Sequence, residues 1–315
     1  MKIIFFGTPD PAAQLLEALI EAKHEIALVV TQPDRPQGRG QKIEPPPVKT
    51  VALRHGLPVQ QPDKLKGDQV FKALISSLSA EIAVVAAYGK LIPGELLSLP
   101  RFGFINVHAS LLPKYRGAAP VQWALLNGET ETGITIFRLV EQLDAGPIIS
   151  QEKIPIAPTD NTETLLSKLF ERSKDLLIKT LSSIASGQAS FQPQDEAAVT
   201  YAPVLSKESG EIDWKKSAAE INNRVRALYP WPAAHTFYRG QRLQLLAAEP
   251  YAVDLALGDR LPGRILQLLK GEGFLVATGS GDLLVRTVKP AGGKAMKAAD
   301  FALGHDVKTA DILPN

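Results

Sequence analysis

An asparagine and a histidine stand two residues apart in a short apolar run, Phe104 to His108. The run Phe-Ile-Asn-Val-His predicts a buried β-strand. Side chains two residues apart on a strand project from the same face, so Asn106 and His108 lie side by side while Ile105 and Val107 pack the opposite face. Each can offer a hydrogen-bond donor to one point in space, an arrangement that stabilises a developing oxyanion.

A carboxylate completes a possible catalytic trio. Asp144 lies in Leu-Asp-Ala-Gly, at the end of a later strand-like run. An isolated Asn-x-His more often satisfies local backbone groups, so the catalytic interpretation depends on its surroundings. Those surroundings are Ser-Leu-Leu-Pro, two residues after His108, and Gly-Ala-Ala-Pro shortly beyond. An acid, a histidine and an amide together indicate a functional site.

The overall composition is that of an ordinary two-domain protein. Its 315 residues are 45% hydrophobic and 22% charged, and the net charge of +2 is too small to indicate nucleic-acid binding by itself. The absence of cysteine excludes disulfides, thiolate metal sites and a cysteine nucleophile. No apolar run reaches about 18 residues. We therefore expect a cytoplasmic protein with no membrane association.

Strand-like and helix-like segments alternate in the first half of the chain. This alternation predicts an α/β fold with a Rossmann-like, mostly parallel sheet and helices on both faces. The opening turn, Gly7-Thr8-Pro9-Asp10, lacks the later glycines of a dinucleotide-binding turn, so no dinucleotide site is expected. The predicted strands are Lys2 to Phe6, Ile26 to Thr31, Ile82 to Ala87, Phe104 to His108, Gly133 to Leu139 and Pro147 to Ile156, with a helix over Ala12 to Ala22.

The second half changes character after a long amphipathic helix, which we expect to be capped by Asp160 with Glu163 and to end at Gly187. Residues 188–203 carry no periodicity and are typical of a linker. We therefore predict a catalytic domain at 1–187, a linker at 188–203 and a C-terminal domain at 204–315. After a helix at Ala218 to Leu228, short β-like runs at Gln241 to Leu246, Arg264 to Leu269, Phe274 to Thr278 and Leu283 to Val288 indicate a small OB-like β-barrel.

Several motifs together resemble those of the methionyl-tRNA formyltransferases, a family of folate-dependent formyltransferases, along nearly the whole chain. Asn-x-His-x-Ser-Leu-Leu-Pro and Leu-Asp-x-Gly are shared with folate-dependent formyltransferases in general. The narrower resemblance to the tRNA enzymes comes from the Gln-Pro-Asp-Arg-Pro loop at 32–36 and Pro-Trp-Pro at 230–232. Gly7-Thr8-Pro9-Asp10 and Pro290-Ala291-Gly292 also match.

The resemblance implies transfer of the formyl group of 10-formyltetrahydrofolate to the α-amine of methionine on initiator tRNA, with no metal. Asn106 and a protonated His108 would hold the tetrahedral oxyanion. Asp144 would pair with His108 or accept the amine proton, directly or through water. The implied folate contacts are Ser110, Leu111, Leu112 and Pro113, with the pterin near Ala87, Tyr88 and Gly89. The implied tRNA contacts are Arg39 and Lys42 first, then Arg35, and the C-terminal domain would also bind tRNA.

The sequence departs from the family pattern at a few positions. Pro11 stands where the family usually has Phe, and Gln142, Ala145 and Pro147 surround Asp144 where Gly, Thr and Asp are common. Two alternatives to the tRNA substrate stay open: formylation of another amine, on glycinamide ribonucleotide or an amino sugar, and a tRNA-binding protein that has lost catalysis. A monomer is favoured, although the sequence does not determine the oligomeric state.

Overall fold

The computed structural model describes residues 1–37, 42–251 and 260–314. Two compact units make up the chain: the first consists of residues 1–120, 131–155 and 166–202, and the second of 121–130, 156–165 and the chain from 203 onward. The strands of the first unit are β1 (Lys2–Gly7), β2 (Glu25–Val30), β3 (Arg35–Gln37), β4 (Lys42–Glu44), β5 (Val59–Gln60), β6 (Ile82–Ala86), β7 (Phe104–His108), β8 (Arg116–Gly117), β9 (Glu131–Arg138), β10 (Ile148–Pro155) and β11 (Tyr201–Ala202).

Seven of these strands form the central sheet, in the order β10-β9-β7-β6-β1-β2-β5. The pairs between β7, β6, β1, β2 and β5 are all parallel, whereas β9 runs antiparallel to β7 and β10 antiparallel to β9. Residues Ile3 to Phe6 of β1 are all completely buried, which requires cover on both faces of the sheet. The predicted Rossmann-like, mostly parallel sheet is confirmed.

Eight α-helices complete the described chain. Pro11 lies in the first turn of the first helix, where proline is tolerated because the N–H that it lacks would have no partner within the helix. The helices are α1 (Asp10–Glu21), α2 (Pro47–Arg54), α3 (Gln69–Ser77), α4 (Gly94–Leu97), α5 (Pro120–Leu126), α6 (Thr162–Ala185), α7 (Ala218–Leu228) and α8 (Ala298–Gly304).

The start of α6 differs from the sequence expectation by one residue. Asn161, not Asp160, is the N-cap: its Oδ1 accepts from Thr164 N at 2.9 Å, and Thr164 Oγ1 accepts from Asn161 N at 3.0 Å. Asp160 instead closes the preceding turn, where its Oδ2 accepts from Ala157 N at 2.7 Å. The predicted pairing of Asp160 with Glu163 is therefore wrong, because Asn161 and Thr164 form the reciprocal cap one position later.

The sheet of the second unit is antiparallel, in the order β12-β13-β16-β15-β14 with β17 paired to β16. Its core surrounds Trp214, which is completely buried, and the apolar side of α7. This architecture is consistent with the predicted small barrel. The strands are β12 (His235–Tyr238), β13 (Gln241–Tyr251), β14 (Ile265–Leu269), β15 (Gly273–Ala277), β16 (Asp282–Pro290) and β17 (Met296–Lys297).

The segment 188–203, expected to be a linker, has local structure within the first unit. It contains a 3-10 helix at Glu196–Ala198 and the short strand β11, which pairs in parallel with β8. Gln194 is buried. Across the described ranges of the chain, none of the helices has the length and apolar character needed to span a bilayer.

Candidate active site

The strand that carries the predicted oxyanion pair is β7, with the bounds expected from the sequence. It lies between β6 and β9, so Asn106 is flanked by Val85 on one side and Phe137 on the other. Asn106 is half-buried and His108 is 6% exposed. The alternation along β7 places both side chains on one face of the sheet.

His108 is fixed by a backbone carbonyl that the sequence did not reveal. Its Nε2 donates to the carbonyl oxygen of Tyr115 at 3.0 Å. Tyr115 has a left-handed backbone (φ 64°), and its N–H donates to Thr200 Oγ1 at 2.9 Å, so the carbonyl is itself held in place. Because Nε2 carries the hydrogen of this bond, Nδ1 is the nitrogen left for chemistry.

The structure brings Asp144 to His108. Asp144 Oδ2 lies 3.9 Å from His108 Nδ1 and accepts from Gly117 N at 2.8 Å. The gap is too long for a direct hydrogen bond, yet a single water or substrate atom could contact both groups. In the predicted trio, His108 and Asp144 thus face each other, and Asn106 lies on the same strand as His108.

Asp144 occupies a strained backbone conformation. Its φ of 48° lies in the left-handed region, which costs a non-glycine residue about 1–3 kcal/mol unless the surroundings compensate. Aspartate is among the residues that tolerate this region best. The turn between β9 and β10 must therefore be held by contacts from elsewhere.

Those contacts come from Gln194 and Arg116, which the sequence analysis did not single out. Gln194 Nε2 donates to the carbonyls of Asp144 and Gly146 at 2.7 and 2.8 Å. Its Oε1 accepts from Arg116 Nε and Nη2 at 3.0 and 2.9 Å, and the buried Arg116 also pairs with Glu196 at 2.8 Å. Hydrogen bonds from Arg116 lower the pKa of Glu196. No sequence signal connects positions so far apart.

The close packing of the turn explains why glycine ends the Leu-Asp-Ala-Gly motif, at position 146. A Cβ at this position would overlap the carbonyl oxygen of Arg138 across the turn. We expect Gly146→Ala to displace the turn, to lower stability by about 1–3 kcal/mol and to lower kcat in the same variant. Thermal unfolding and the rate of the expected formyl transfer, measured on one preparation, check both effects.

Gly304→Ala is the matched control, because a Cβ at Gly304 would meet open space and the residue ends α8 without a positive φ. We expect it to be neutral or slightly stabilising. If Gly146→Ala melts and turns over like the wild type, the turn does not depend on close approach at Gly146.

The predicted folate segment directly follows β7 and is tied to β9 and β10. Thr135 Oγ1 donates to the carbonyl of Ser110 at 2.7 Å and accepts from Leu112 N at 3.0 Å, and Gln151 Nε2 donates to the Leu112 carbonyl at 2.8 Å. The Ser110 hydroxyl donates to the Lys114 carbonyl. These bonds give a fixed wall beside His108, and folate binding by residues 110–113 stays a prediction.

The second predicted folate element follows β6, the strand next to β7. Ala87 and Gly89 are exposed and have positive φ angles of 45° and 84°. The Tyr88 ring instead points into the core, edge-on to Phe6 at 5.4 Å, and burial raises its pKa to about 12. The Tyr88 ring therefore belongs to the core, and Ala87 and Gly89 are the exposed positions of this turn.

Two of the predicted tRNA residues, Arg35 and Lys42, belong to a two-stranded ribbon in which β3 pairs antiparallel with β4. Arg35 is exposed on β3, and the backbone of Lys42 begins β4. Arg39 lies outside the described residues. Next to the ribbon, Asp34 accepts from Lys49 and from Gln61 at 2.7 Å, and these hydrogen bonds, Gln61 first, hold the pKa of Asp34 below its usual value.

No cluster of three or more histidine, cysteine, aspartate or glutamate side chains within the described ranges is placed to hold a metal ion. The polar groups around His108 are instead a carboxylate and backbone amides and carbonyls. Such a donor set can move protons and bind a developing charge.

Comparison with known proteins identifies the family. Residues 1–181 match the formyl transferase model, and residues 204–306 match the model of the formyl transferase C-terminal domain. The methionyl-tRNA formyltransferase of Moorella thermoacetica is 46% identical over 99% of both chains. The chain belongs to the methionyl-tRNA formyltransferase family. Two further relatives support this assignment. The methionyl-tRNA formyltransferase of Staphylococcus epidermidis is 48% identical over 96% of both chains. That of Bacillus subtilis is 43% identical over 99% of this chain and 97% of its own.

Solved structures share the fold of this methionyl-tRNA formyltransferase family member at low identity. An N-formyltransferase from Helicobacter canadensis, in complex with folinic acid and dTDP-3-aminofucose, has a TM-score of 0.69 at 18% identity over 90% of this chain and 98% of that one. HypX from Aquifex aeolicus, in complex with tetrahydrofolic acid, has a TM-score of 0.67 at 17% identity. The match covers all of this chain and 51% of the HypX chain.

Proposed function

We propose that this protein transfers the formyl group of 10-formyltetrahydrofolate to the α-amine of methionyl-initiator tRNA, and so supports translation initiation. The observation that carries the proposal is the opposition of His108 Nδ1 and Asp144 Oδ2 beside Asn106, in a chain of this family. Relatives named methionyl-tRNA formyltransferase match it over nearly their whole length.

The reaction forms one C–N bond and breaks another. The neutral amine attacks the formyl carbon, and the carbonyl oxygen becomes a tetrahedral oxyanion. The Asn106 amide and a proton on His108 Nδ1 hold this charge, and each such donor is worth about 3 kcal/mol of barrier. Collapse of the intermediate returns the carbonyl and releases the folate nitrogen, which takes up a proton.

Asp144 has two roles in the proton transfers of this reaction. Its carboxylate faces Nδ1, so it stabilises the imidazolium that donates to the oxyanion. It also lies where a bridging water could pass on the proton that the amine loses. Because the Gly117 N–H already holds Oδ2, the carboxylate is preorganised for both roles.

The folate donor would lie between the two turns that follow β6 and β7. Ligands of open α/β sheets bind at the carboxyl ends of the strands, where these turns lie. The bonds from Thr135 and Gln151 hold the 110–113 segment in place, and Ala87 and Gly89 are exposed on the neighbouring turn. We assign Ala87, Gly89 and residues 110–113 to folate on this basis, whereas the Tyr88 ring belongs to the core.

We assign catalysis to residues 1–187, a linker to 188–203 and tRNA binding to 204–315 together with the 32–49 segment. In the second unit, two arginines border a cavity of about 130 Å³, and cationic side chains of this kind suit contact with phosphate groups. The protein would act in the cytoplasm, as a monomer. The cavity is lined by Tyr238, Arg239, Gln241, Arg242, Leu243, Pro290, Phe301 and His305.

Arg39→Ala is expected to raise KM for methionyl-tRNA and to leave KM for the folate donor unchanged. Loss of one phosphate contact lowers the slope of log affinity against log salt concentration by about 0.9. The measurement is KM for methionyl-tRNA across a salt series, with Lys42→Ala as a second member of the same set.

Arg101→Ala is the control, because Arg101 is exposed just before β7 begins, at the opposite end of that strand from His108. It should leave both KM and the salt slope at wild-type values. A wild-type salt slope in Arg39→Ala and Lys42→Ala alike would remove this segment from tRNA binding.

The direct test of the function offers purified protein and 10-formyltetrahydrofolate three acceptors in parallel: methionyl-initiator tRNA, glycinamide ribonucleotide and a nucleotide-linked amino sugar. We expect formylation of the tRNA alone. Formylation of either other acceptor in its place would reassign the substrate, and binding of tRNA with no turnover would support the non-catalytic alternative.

A further inference from the structure

We propose that Gln194 is a positioning residue for the formyl transfer, which acts by holding the Asp144 carboxylate opposite His108. The inference rests on the proposed function and adds to it a residue outside the catalytic trio. The inference follows from the hydrogen-bond partners of the buried Gln194 side-chain amide.

The Gln194 side chain, only 9% exposed, uses its full hydrogen-bonding capacity on two sides. Its two N–H bonds go to the carbonyls of Asp144 and Gly146, on either side of Ala145, and its oxygen receives two bonds from Arg116. The amide therefore spans from the catalytic turn to a buried guanidinium.

The conformation of Asp144 explains why such support matters. The residue has a left-handed φ of 48°, and its side chain must reach both Gly117 N and the space beside His108 Nδ1. Without the two bonds from Gln194, the turn could relax toward an ordinary backbone conformation and carry the carboxylate away. A displacement of about 1 Å is enough to cost roughly 100-fold in rate.

Arg116 makes the support rigid. Its guanidinium is buried, paired with Glu196 and joined to Gln194 through two nitrogens. Gln194 thus has a buried, ion-paired guanidinium on one side and the strained turn on the other. Its neighbour Gln192, in contrast, has an exposed side chain and contributes backbone bonds to Ile148.

Gln194→Glu removes the two side-chain donors while it keeps the shape of the side chain and its bonds from Arg116. The glutamate keeps the length of the side chain and can still accept from Arg116, but it has no N–H for the two carbonyls and turns a negative oxygen toward them. We expect kcat for formylation of methionyl-tRNA to fall about 10- to 100-fold. KM for both substrates should change less than about threefold, because the buried amide is already fully occupied by Asp144, Gly146 and Arg116.

A double-mutant cycle with Asp144→Asn distinguishes positioning from general support of the fold. If Gln194 acts through the Asp144 carboxylate, adding Gln194→Glu to Asp144→Asn should lower kcat no further. If it merely supports the unit, the two losses should multiply, and the inference is overturned. Gln192→Glu is the matched control and should behave as the wild type.

Gln194→Met controls for the negative charge that Gln194→Glu introduces. It removes both donors with no added charge, and a similar kcat loss in a variant that unfolds at the wild-type temperature supports the inference. Failure of both Gln194 variants to fold, or wild-type kcat in both, overturns it. Wild-type protein that formylates no methionyl-tRNA would instead remove the proposed function, and this inference with it.

Discussion

Asp144→Asn is expected to lower kcat for formyl transfer by about 10²- to 10⁴-fold, the range of a positioned acid–base group. The asparagine oxygen can still accept the Gly117 N–H, so the turn should keep its place. The negative charge that faces His108 Nδ1 is lost, and with it both roles that we propose for Asp144. Single-turnover formylation of methionyl-tRNA measures the effect.

The control is Asp175→Asn, at an exposed position on α6. It should retain wild-type kcat. KM for methionyl-tRNA and for 10-formyltetrahydrofolate should stay within about threefold of wild type in Asp144→Asn, because the change removes charge and leaves the shape of the site. Turnover within about twofold of wild type in Asp144→Asn would exclude Asp144 from the chemistry.

Asn106→Asp is expected to lower kcat by about 10²- to 10³-fold, which corresponds to the 2.7–4 kcal/mol typical of one oxyanion donor. The change is nearly isosteric. It removes the N–H₂ group from the face of β7 that carries His108 and places a second negative charge where we propose that the oxyanion forms. The rate of the chemical step with both substrates saturating is the relevant measurement.

Asn161→Asp supplies the matched control for the same substitution. Asn161 caps α6 through its Oδ1, and aspartate caps helices as well as asparagine does. Stability and turnover should both remain at wild-type values. Full activity in Asn106→Asp would mean that the oxyanion is held by other groups, and His108 alone would then keep the proposed role.

The sequence was sufficient for the elements that show a strong local pattern. The bounds of β7 and α7 agree with prediction, because a two-residue alternation defines β7 and helical spacing defines α7. In the structure, a capping box of Ser217 and Glu220 fixes the start of α7. Asn106 and His108 follow from the two-residue period of a strand. Their shared face required no knowledge of the rest of the chain.

The sequence was insufficient wherever a partner lies far along the chain or a side chain has two possible uses. Asp160 and Asn161 are both good caps, and only the turn closed by Asp160 decides between them. Tyr88 lies in a predicted folate turn, yet its ring fills the core beside Phe6. Gln194 lies in a stretch typical of a linker, and its side chain is buried under the Asp144 turn.

The sequence by itself determined the Rossmann-like sheet, the β-rich character of the C-terminal domain and the identity of the three candidate catalytic residues. These depend on periodicity and on motifs, which are local properties. Tertiary structure decided which His108 nitrogen faces the site, how far it lies from Asp144, and which buried groups hold both residues. Those facts depend on backbone carbonyls and side chains that only folding brings together, because a hydrogen bond needs its partners within about 3 Å whatever their separation along the chain.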